Sequence, residues 1–127
     1  MPVIRIRALP QPPGTQTAAV LGTVSRALAD LLGEPPHGTW ATWEAIRPGS
    51  YAEGAETPDR QPASTHPPLV SVLAFEGRPA ELVERMLVCV ADTLVRELGL
   101  EPGNVFVTYD EVASGRVYDG GQVVRRP

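Results

Sequence analysis

The chain repeats one pattern at a fixed spacing of 66 residues. Without a gap, this spacing aligns the apolar residues, the helix-ending glycine and the strand aromatics of the first half with similar residues in the second. The aligned pairs include Leu21 with Leu87, Val24 with Val90, Leu28 with Leu94, Gly33 with Gly99, Trp40 with Phe106 and Trp43 with Tyr109. Each unit needs a neighbour to cover its apolar face. We therefore expect a single domain made of repeat one (1–56), a linker (57–67) and repeat two (68–127).

Each half has the pattern of a strand, a helix and a second strand. The chain begins with alternating β-branched residues and arginines, which is typical of a strand. Apolar residues with a period near 3.6 then predict a helix that ends at about Leu32, with Thr15 or Thr17 as its N-cap and Gly33 just beyond its end. In the second half, Pro79 is predicted at the first helical position.

Two such units constrain the fold class. A β-α-β crossover joins two parallel strands with a right-handed connection. Two units related by a pseudo-twofold axis give an α+β fold, a four-stranded mixed sheet with both helices on one face. The other face keeps apolar and aromatic residues, and oligomerisation is the simplest way to bury it. Arg5 and Arg7 lie on one face of the first strand and are expected to pair with neighbouring subunits.

Composition limits the partners. The net charge of −4 disfavours nucleic acid, because phosphate binding needs a basic surface. No apolar run is long enough to span a bilayer, and the single cysteine, Cys89, excludes an intrachain disulfide, so a cytoplasmic location is expected. His37 and His66 lie in proline-rich loops and are interpreted as solvent-exposed, so neither a metal nor another cofactor is expected. Arg125 and Arg126 are interpreted as a solvent-exposed end.

The second residue is the first candidate for chemistry. If Met1 is removed, Pro2 carries a free secondary amine at the tip of the first strand. A free α-amino group in water has a pKa of about 7.7–8.0. An apolar pocket and a nearby arginine would both lower the pKa of this amine. A neutral amine near pH 7 can move a proton beside a carbonyl group.

The order of these motifs resembles the tautomerase superfamily, which includes 4-oxalocrotonate tautomerase and macrophage migration inhibitory factor. The shared features are the proline after the initiator methionine, the doubled β-α-β unit and the aromatic hairpins. The segment from Pro68 to Arg78 is similar to the amino terminus of 4-oxalocrotonate tautomerase, and Gly115 to Gly121 is similar to its glycine hairpin. The resemblance implies a homotrimer, and an isomerase (tautomerase) in which Pro2 is the general base and acid. The substrate would be a small carbonyl (2-oxo or enol) carboxylic acid.

The resemblance also implies binding residues. Arg78 occupies the place of an arginine that binds the substrate carboxylate, and a guanidinium suits a carboxylate because of its paired donors. Tyr118 and Tyr51 fall near the hairpin aromatic of the family. Trp40 and Phe106 stand where the family has a further arginine, which indicates a smaller or more apolar substrate; they line either the pocket or the subunit interface.

Other functions stay open from the sequence. The same superfamily contains hydratases, dehalogenases and decarboxylases. If Met1 is retained, Pro2 is an amide nitrogen without basicity, and the chain would be a catalytically silent trimeric binding or assembly module.

Overall fold

The computed structural model describes residues 1–126. The elements are β1 (Val3–Ala8), α1 (Thr17–Leu32), a 3-10 turn (Pro36–Gly38), β2 (Trp40–Ala45), β3 (Leu69–Phe75), α2 (Ala80–Leu98), β4 (Phe106–Val112), β5 (Val117–Asp119) and β6 (Gln122–Val124). Neither helix of this range is long and apolar enough to cross a membrane.

Strands β1 to β4 form one sheet in the order β2-β1-β3-β4. Strand β1 is parallel to β2, and β3 is parallel to β4, as a β-α-β unit requires. The two units meet through the antiparallel pair β1 and β3. Strands β5 and β6 form a separate hairpin. The predicted fold class, a four-stranded mixed sheet with two helices, is confirmed.

The core lies between the two helices and one face of the sheet. Strand β1 alternates, with Ile4 and Ile6 buried and Arg5 and Arg7 exposed on the opposite face. The core side chains from both repeats are Val20, Val24, Leu28, Val70, Val72, Met86, Val90, Leu94, Leu98 and Leu100. Burial of each large aliphatic side chain contributes about 1.5–3 kcal/mol. The opposite face of the sheet, which we call the open face, has no element of the described chain packed on it.

The helix ends differ slightly from the sequence prediction. Neither threonine caps α1: the cap residue is Gln16, without a side-chain bond, and Thr17 is already helical. The Thr15 hydroxyl donates to the Pro12 carbonyl (2.8 Å), so it stabilises the preceding turn instead. Pro79 is the cap of α2 and not its first helical residue, because its backbone is extended (ψ 153°). Gly33 ends α1 in the left-handed conformation (φ 67°), as predicted.

The linker between the repeats is packed onto the end of the sheet where β3 begins. His66 is 1% exposed, so its interpretation as a solvated residue is wrong. Its ring lies edge-on to Tyr51, and its Nε2 is 3.1 Å from the Glu53 backbone nitrogen. The side chains of Gln61 and Asn104 donate to several linker carbonyls. These bonds satisfy backbone groups that an irregular segment would otherwise bury unpaired.

We expect Asn104→Ala to loosen the linker selectively. The Asn104 side-chain amide donates to the carbonyls of Ala63 and Thr65 at 3.0 Å each. Without the amide each carbonyl loses one donor, while Ala63 still accepts from the Glu101 N–H and Thr65 from the Gln61 side chain. The free energy of unfolding should therefore fall by about 0.5–1.5 kcal/mol. Urea unfolding followed by circular dichroism measures this loss.

Gln122→Ala is the matched control, because Gln122 is an exposed amide on the hairpin. Limited proteolysis should cut within 57–67 earlier in Asn104→Ala than in the control. Equal stability and equal cutting of the two variants would contradict the role of Asn104.

Candidate active site

Pro2 lies at the start of an inner strand. Its side chain is less than 2% exposed, and its carbonyl accepts a hydrogen bond from the Trp40 backbone N–H (3.0 Å). Proline has no backbone N–H, so it fits at the first residue of a strand without the loss of a ladder bond. Pro2 is therefore fixed in position, and the chain-terminal amine lies at this end of the sheet.

The antiparallel register of β1 and β3 decides what surrounds that amine. Val3 lies opposite Leu73, so continuing the register by two residues places Met1 opposite Phe75. Strand β3 ends there, and the chain turns toward helix α2 through Arg78. The start of repeat one and the first turn of repeat two consequently meet at one end of the sheet. The register thus places Pro2 and Arg78 at the same end of the sheet.

Arg78 is largely buried, with its side chain 13% exposed. Its Nη1 donates to the Phe75 carbonyl at 3.4 Å, and its Nη2 lies 3.6 Å from Oε1 of Glu34. Glu34 follows the glycine at the end of α1, so this ion pair joins the two repeats. The sequence analysis missed Glu34. The 66-residue spacing aligns Glu34 with Leu100, which is buried in the core. A carboxylate at a position where the other repeat has a buried leucine could have indicated that Glu34 has a special role.

The surroundings lower the pKa of the amine. Partial burial lowers the pKa of the Met1 α-amino group, since a charged amine is poorly solvated there. The Glu34 carboxylate opposes this effect, while the guanidinium groups of Arg126 and Arg78 add to it and Asp119 opposes it. Among residues 1–126, no three His, Cys, Asp or Glu side chains gather as a metal site.

Arg126 is exposed, as the sequence analysis expected, but it also has a contact that the sequence did not indicate. Its guanidinium carbon lies 4.5 Å from the centroid of the Phe75 ring. It lines a groove of about 610 Å³ together with Arg78 and Ser114. The other residues of the groove are Phe75, Glu76, Gly77 and Glu111. The groove is therefore lined by two guanidinium groups and two carboxylates, and both guanidinium groups are near enough to the amine to lower its pKa.

The predicted aromatic residues of the strands lie on the open face. Trp40 pairs with Val3 in the sheet and is 48% exposed, at the Pro2 end. Phe106 occupies the matching place at the other end, where its backbone N–H donates to the Pro68 carbonyl (3.0 Å). It is 55% exposed. Within one chain, Trp40 can contact the Pro2 site and Phe106 cannot.

The two predicted tyrosines lie in different environments. The Tyr51 hydroxyl donates to the Pro67 carbonyl at 2.7 Å, so Tyr51 holds the linker at the far end of the sheet. Burial raises its pKa. Tyr118 lies on β5 and is 74% exposed, although Asp119 beside it acts on the amine. Neither tyrosine contacts Pro2 within the described chain.

Comparisons with solved structures identify the fold. No family model and no curated protein sequence matches the chain. A fused 4-OT wild type symmetric trimer superposes with a TM-score of 0.81 at 16% identity, over 96% of this chain and 94% of that chain. Pt0534 inactivated by 2-oxo-3-pentynoate gives a TM-score of 0.83 at 16% identity, over 96% of this chain and 94% of that one. Malonate semialdehyde decarboxylase gives 0.71 at 19% identity, over 93% and 90%.

These structures are members of the tautomerase superfamily. The chain therefore has the tautomerase superfamily fold in its fused, two-unit form. At these identities the similarity concerns the fold, and the chemistry of the site depends on the residues described above.

We expect Glu34→Gln to lower the pKa of the chain-terminal amine. The Glu34 carboxylate stabilises the protonated amine, so its neutralisation leaves burial and the two arginines to favour the neutral form. An NMR titration of the α-proton of the amino-terminal residue measures this pKa directly. Glu84→Gln, an exposed carboxylate on α2, is the control and should leave the pKa unchanged. An unchanged or raised pKa in Glu34→Gln would refute this account.

Proposed function

We propose that this chain is a tautomerase superfamily enzyme that uses the amine of Pro2, freed by removal of Met1, as general base and acid. Its substrate is a small carbonyl (2-oxo or enol) carboxylic acid, and the reaction is keto–enol tautomerisation. One observation carries the proposal. The chain-terminal amine lies beside the largely buried guanidinium of Arg78, at an end of the sheet that the linker leaves open.

The geometry suits a proton transfer. A neutral amine accepts a proton from the carbon beside the carbonyl, and the C–H electron pair becomes the C=C bond of the enolate. The protonated amine then returns the proton to a different atom of the substrate. Burial, Arg126 and Arg78 lower the pKa of the Met1 amine. We infer that the same groups act on the amine of Pro2 once Met1 is removed, and that they favour its neutral form near pH 7. Arg78 binds the carboxylate, and Trp40 forms a wall of the site.

The other predicted aromatics require a second copy of the chain. Phe106, Tyr51 and Tyr118 do not contact the Pro2 site of their own chain, so we assign them to the site only through a neighbouring subunit. The partner molecule is a small anion, because two guanidinium groups line the groove although the chain as a whole has a net charge of −4.

A second candidate is hydration or decarboxylation on the same amine. The observation that favours it is Glu34, whose carboxylate raises the pKa of the amine and so favours its protonated form. A protonated amine polarises a carbonyl group or protonates a carbanion. The similar malonate semialdehyde decarboxylase is described with decarboxylase and hydratase activities. A dehalogenase would use the same groups.

The first test concerns Pro2. Intact-mass measurement of the natively expressed protein should show that Met1 is absent, and phenylenolpyruvate should be ketonised. An uncleavable extra residue before Pro2 turns the amine into an amide, so turnover should fall by at least about a thousandfold while the fold is unchanged. Circular dichroism verifies the fold.

Labelling locates the reactive group. The neutral amine should add to the triple bond of 2-oxo-3-pentynoate: a C–N bond forms, one π bond breaks, and the amine proton moves to the adjacent carbon. The peptide that begins with Pro2 should gain the mass of the intact acid. Retained Met1, or full activity of the extended protein, would favour the catalytically silent module.

We also propose a homotrimer. Trp40 and Phe106 are exposed on the open face together with Arg5 and Arg7. A depression of about 470 Å³ on this face is lined by both arginines, Glu44 and Phe106. Packing of three open faces against one another would cover the aromatics and pair the arginines with carboxylates. The similar fused 4-OT is a symmetric trimer.

Phe106→Asp should dissociate the trimer. A buried carboxylate without a partner is strongly unfavourable at an interface, so light scattering should report three chains for the wild type and fewer for the variant. Val88→Asp is the matched control, because Val88 on α2 is 56% exposed and Phe106 is 55% exposed. A wild type that is monomeric at micromolar concentration would disprove the assembly.

A further inference from the structure

Arg126 lies near the end of the chain, yet its backbone is held in place. The Arg126 N–H donates to the Ser114 Oγ at 2.6 Å, and the Ser114 hydroxyl donates back to the Arg126 carbonyl at 3.1 Å. Ser114 lies two residues after the end of β4, so this reciprocal pair fixes the segment after β6 near the end of that strand. The position of Arg126 is therefore set by the fold.

The side chain of Arg126 converges with Arg78 on one residue. The Arg126 guanidinium stacks over the Phe75 ring at 4.5 Å, and the Arg78 guanidinium bonds to the Phe75 carbonyl at 3.4 Å. Phe75 is itself opposite Met1 in the extended register of β1 and β3. Stacking on an aromatic ring occupies the face of a guanidinium and leaves the donors at its edge available.

The charges of the two arginines are balanced differently. Arg78 lies 3.6 Å from the Glu34 carboxylate, so part of its charge is already compensated. Arg126 has no carboxylate within 4.0 Å in the described part of the chain. Glu76 and Glu111 also line the groove but form no ion pair with either arginine. Among residues 1–126, Arg126 is thus the groove guanidinium without an ion pair.

We propose that Arg126 is a second carboxylate-binding residue of the amine site, and that the site takes monocarboxylates in preference to dicarboxylates. The inference rests on the proposed function and deepens it. Glu34 compensates part of the Arg78 charge, so Arg78 and Arg126 together can bind one substrate carboxylate but not two. A second carboxylate on the substrate would face Glu34, Glu76 or Glu111, and the like charges repel.

The experiment compares Arg126→Ala with Arg125→Ala in protein without Met1. Arg125 is the neighbouring exposed arginine and does not line the groove, so it controls for the loss of one positive charge. For phenylenolpyruvate, Arg126→Ala should raise KM about tenfold or more, as the loss of a charge-assisted hydrogen bond does. Arg125→Ala should change KM less than twofold. With the methyl ester of the substrate, all three proteins should have the same KM.

Two further variants separate binding from structure. Arg126→Lys keeps the charge but loses the paired donors and the stacking, so its KM should lie between those of wild type and Arg126→Ala. Ser114→Ala keeps the Arg126 guanidinium but removes the two hydrogen bonds that hold the Arg126 backbone. It should raise KM by less than Arg126→Ala does. A dicarboxylate dienol should give a lower kcat/KM than phenylenolpyruvate with the wild type.

A readout that does not need the amine makes the two proposals separable. Pyruvate is titrated into the wild type and Arg125→Ala while the Nε–H NMR signals of the arginines are followed. The Arg126 signal should shift in both proteins, with the same affinity. If 2-oxo-3-pentynoate fails to label the protein but this signal shifts, the proposed reaction is wrong and the binding role of Arg126 stands. If the signal does not move, or if Arg126→Ala and Arg125→Ala have equal KM values, the inference is overturned.

Discussion

The antiparallel pairing of β1 with β3 is the interaction on which the rest of the structure depends. It joins the two β-α-β units into one sheet and buries one face of each inner strand under the helices. Because paired strands run in opposite directions, the start of one repeat lies beside the end of the first strand of the other. The same ladder therefore builds the core and places Pro2 and Arg78 at the same end of the sheet. A shift of the register by one residue would also move the arginines of β1 to the core face.

The pseudo-twofold symmetry of the repeats relates the two ends of the sheet to each other, but the residues at these ends differ in three respects. At the Pro2 end, the chain can present an amine, and Arg78 stands where the first repeat has Pro12. At the Pro68 end the nitrogen is an amide, and the linker with buried His66 packs over the strand. One end thus forms a site, while the other stabilises the connection between the repeats.

Burial has the largest influence on the chain-terminal amine and lowers its pKa, while the nearby charges act in both directions. Burial and two guanidinium groups lower the pKa of the amine, whereas Glu34 and Asp119 raise it. Such opposing influences suit a group that must both accept and donate a proton near neutral pH. The ion pair of Arg78 with Glu34 also restrains both side chains across the repeat boundary. The residues that act on the pKa of the amine therefore also join the two units.

The sequence by itself determined the doubled unit, the mixed sheet and the glycine ends of both helices. The periodicity of apolar residues indicates which side of a helix or strand is buried, and the constant 66-residue spacing indicates that the two halves have the same fold. Only the tertiary structure decided the positions of Glu34, Arg126 and His66. Their contacts depend on loops and a chain end that lie outside the periodic segments. The contacts of a side chain in such a segment depend on the folded sheet, because the sheet brings together residues that are far apart along the chain.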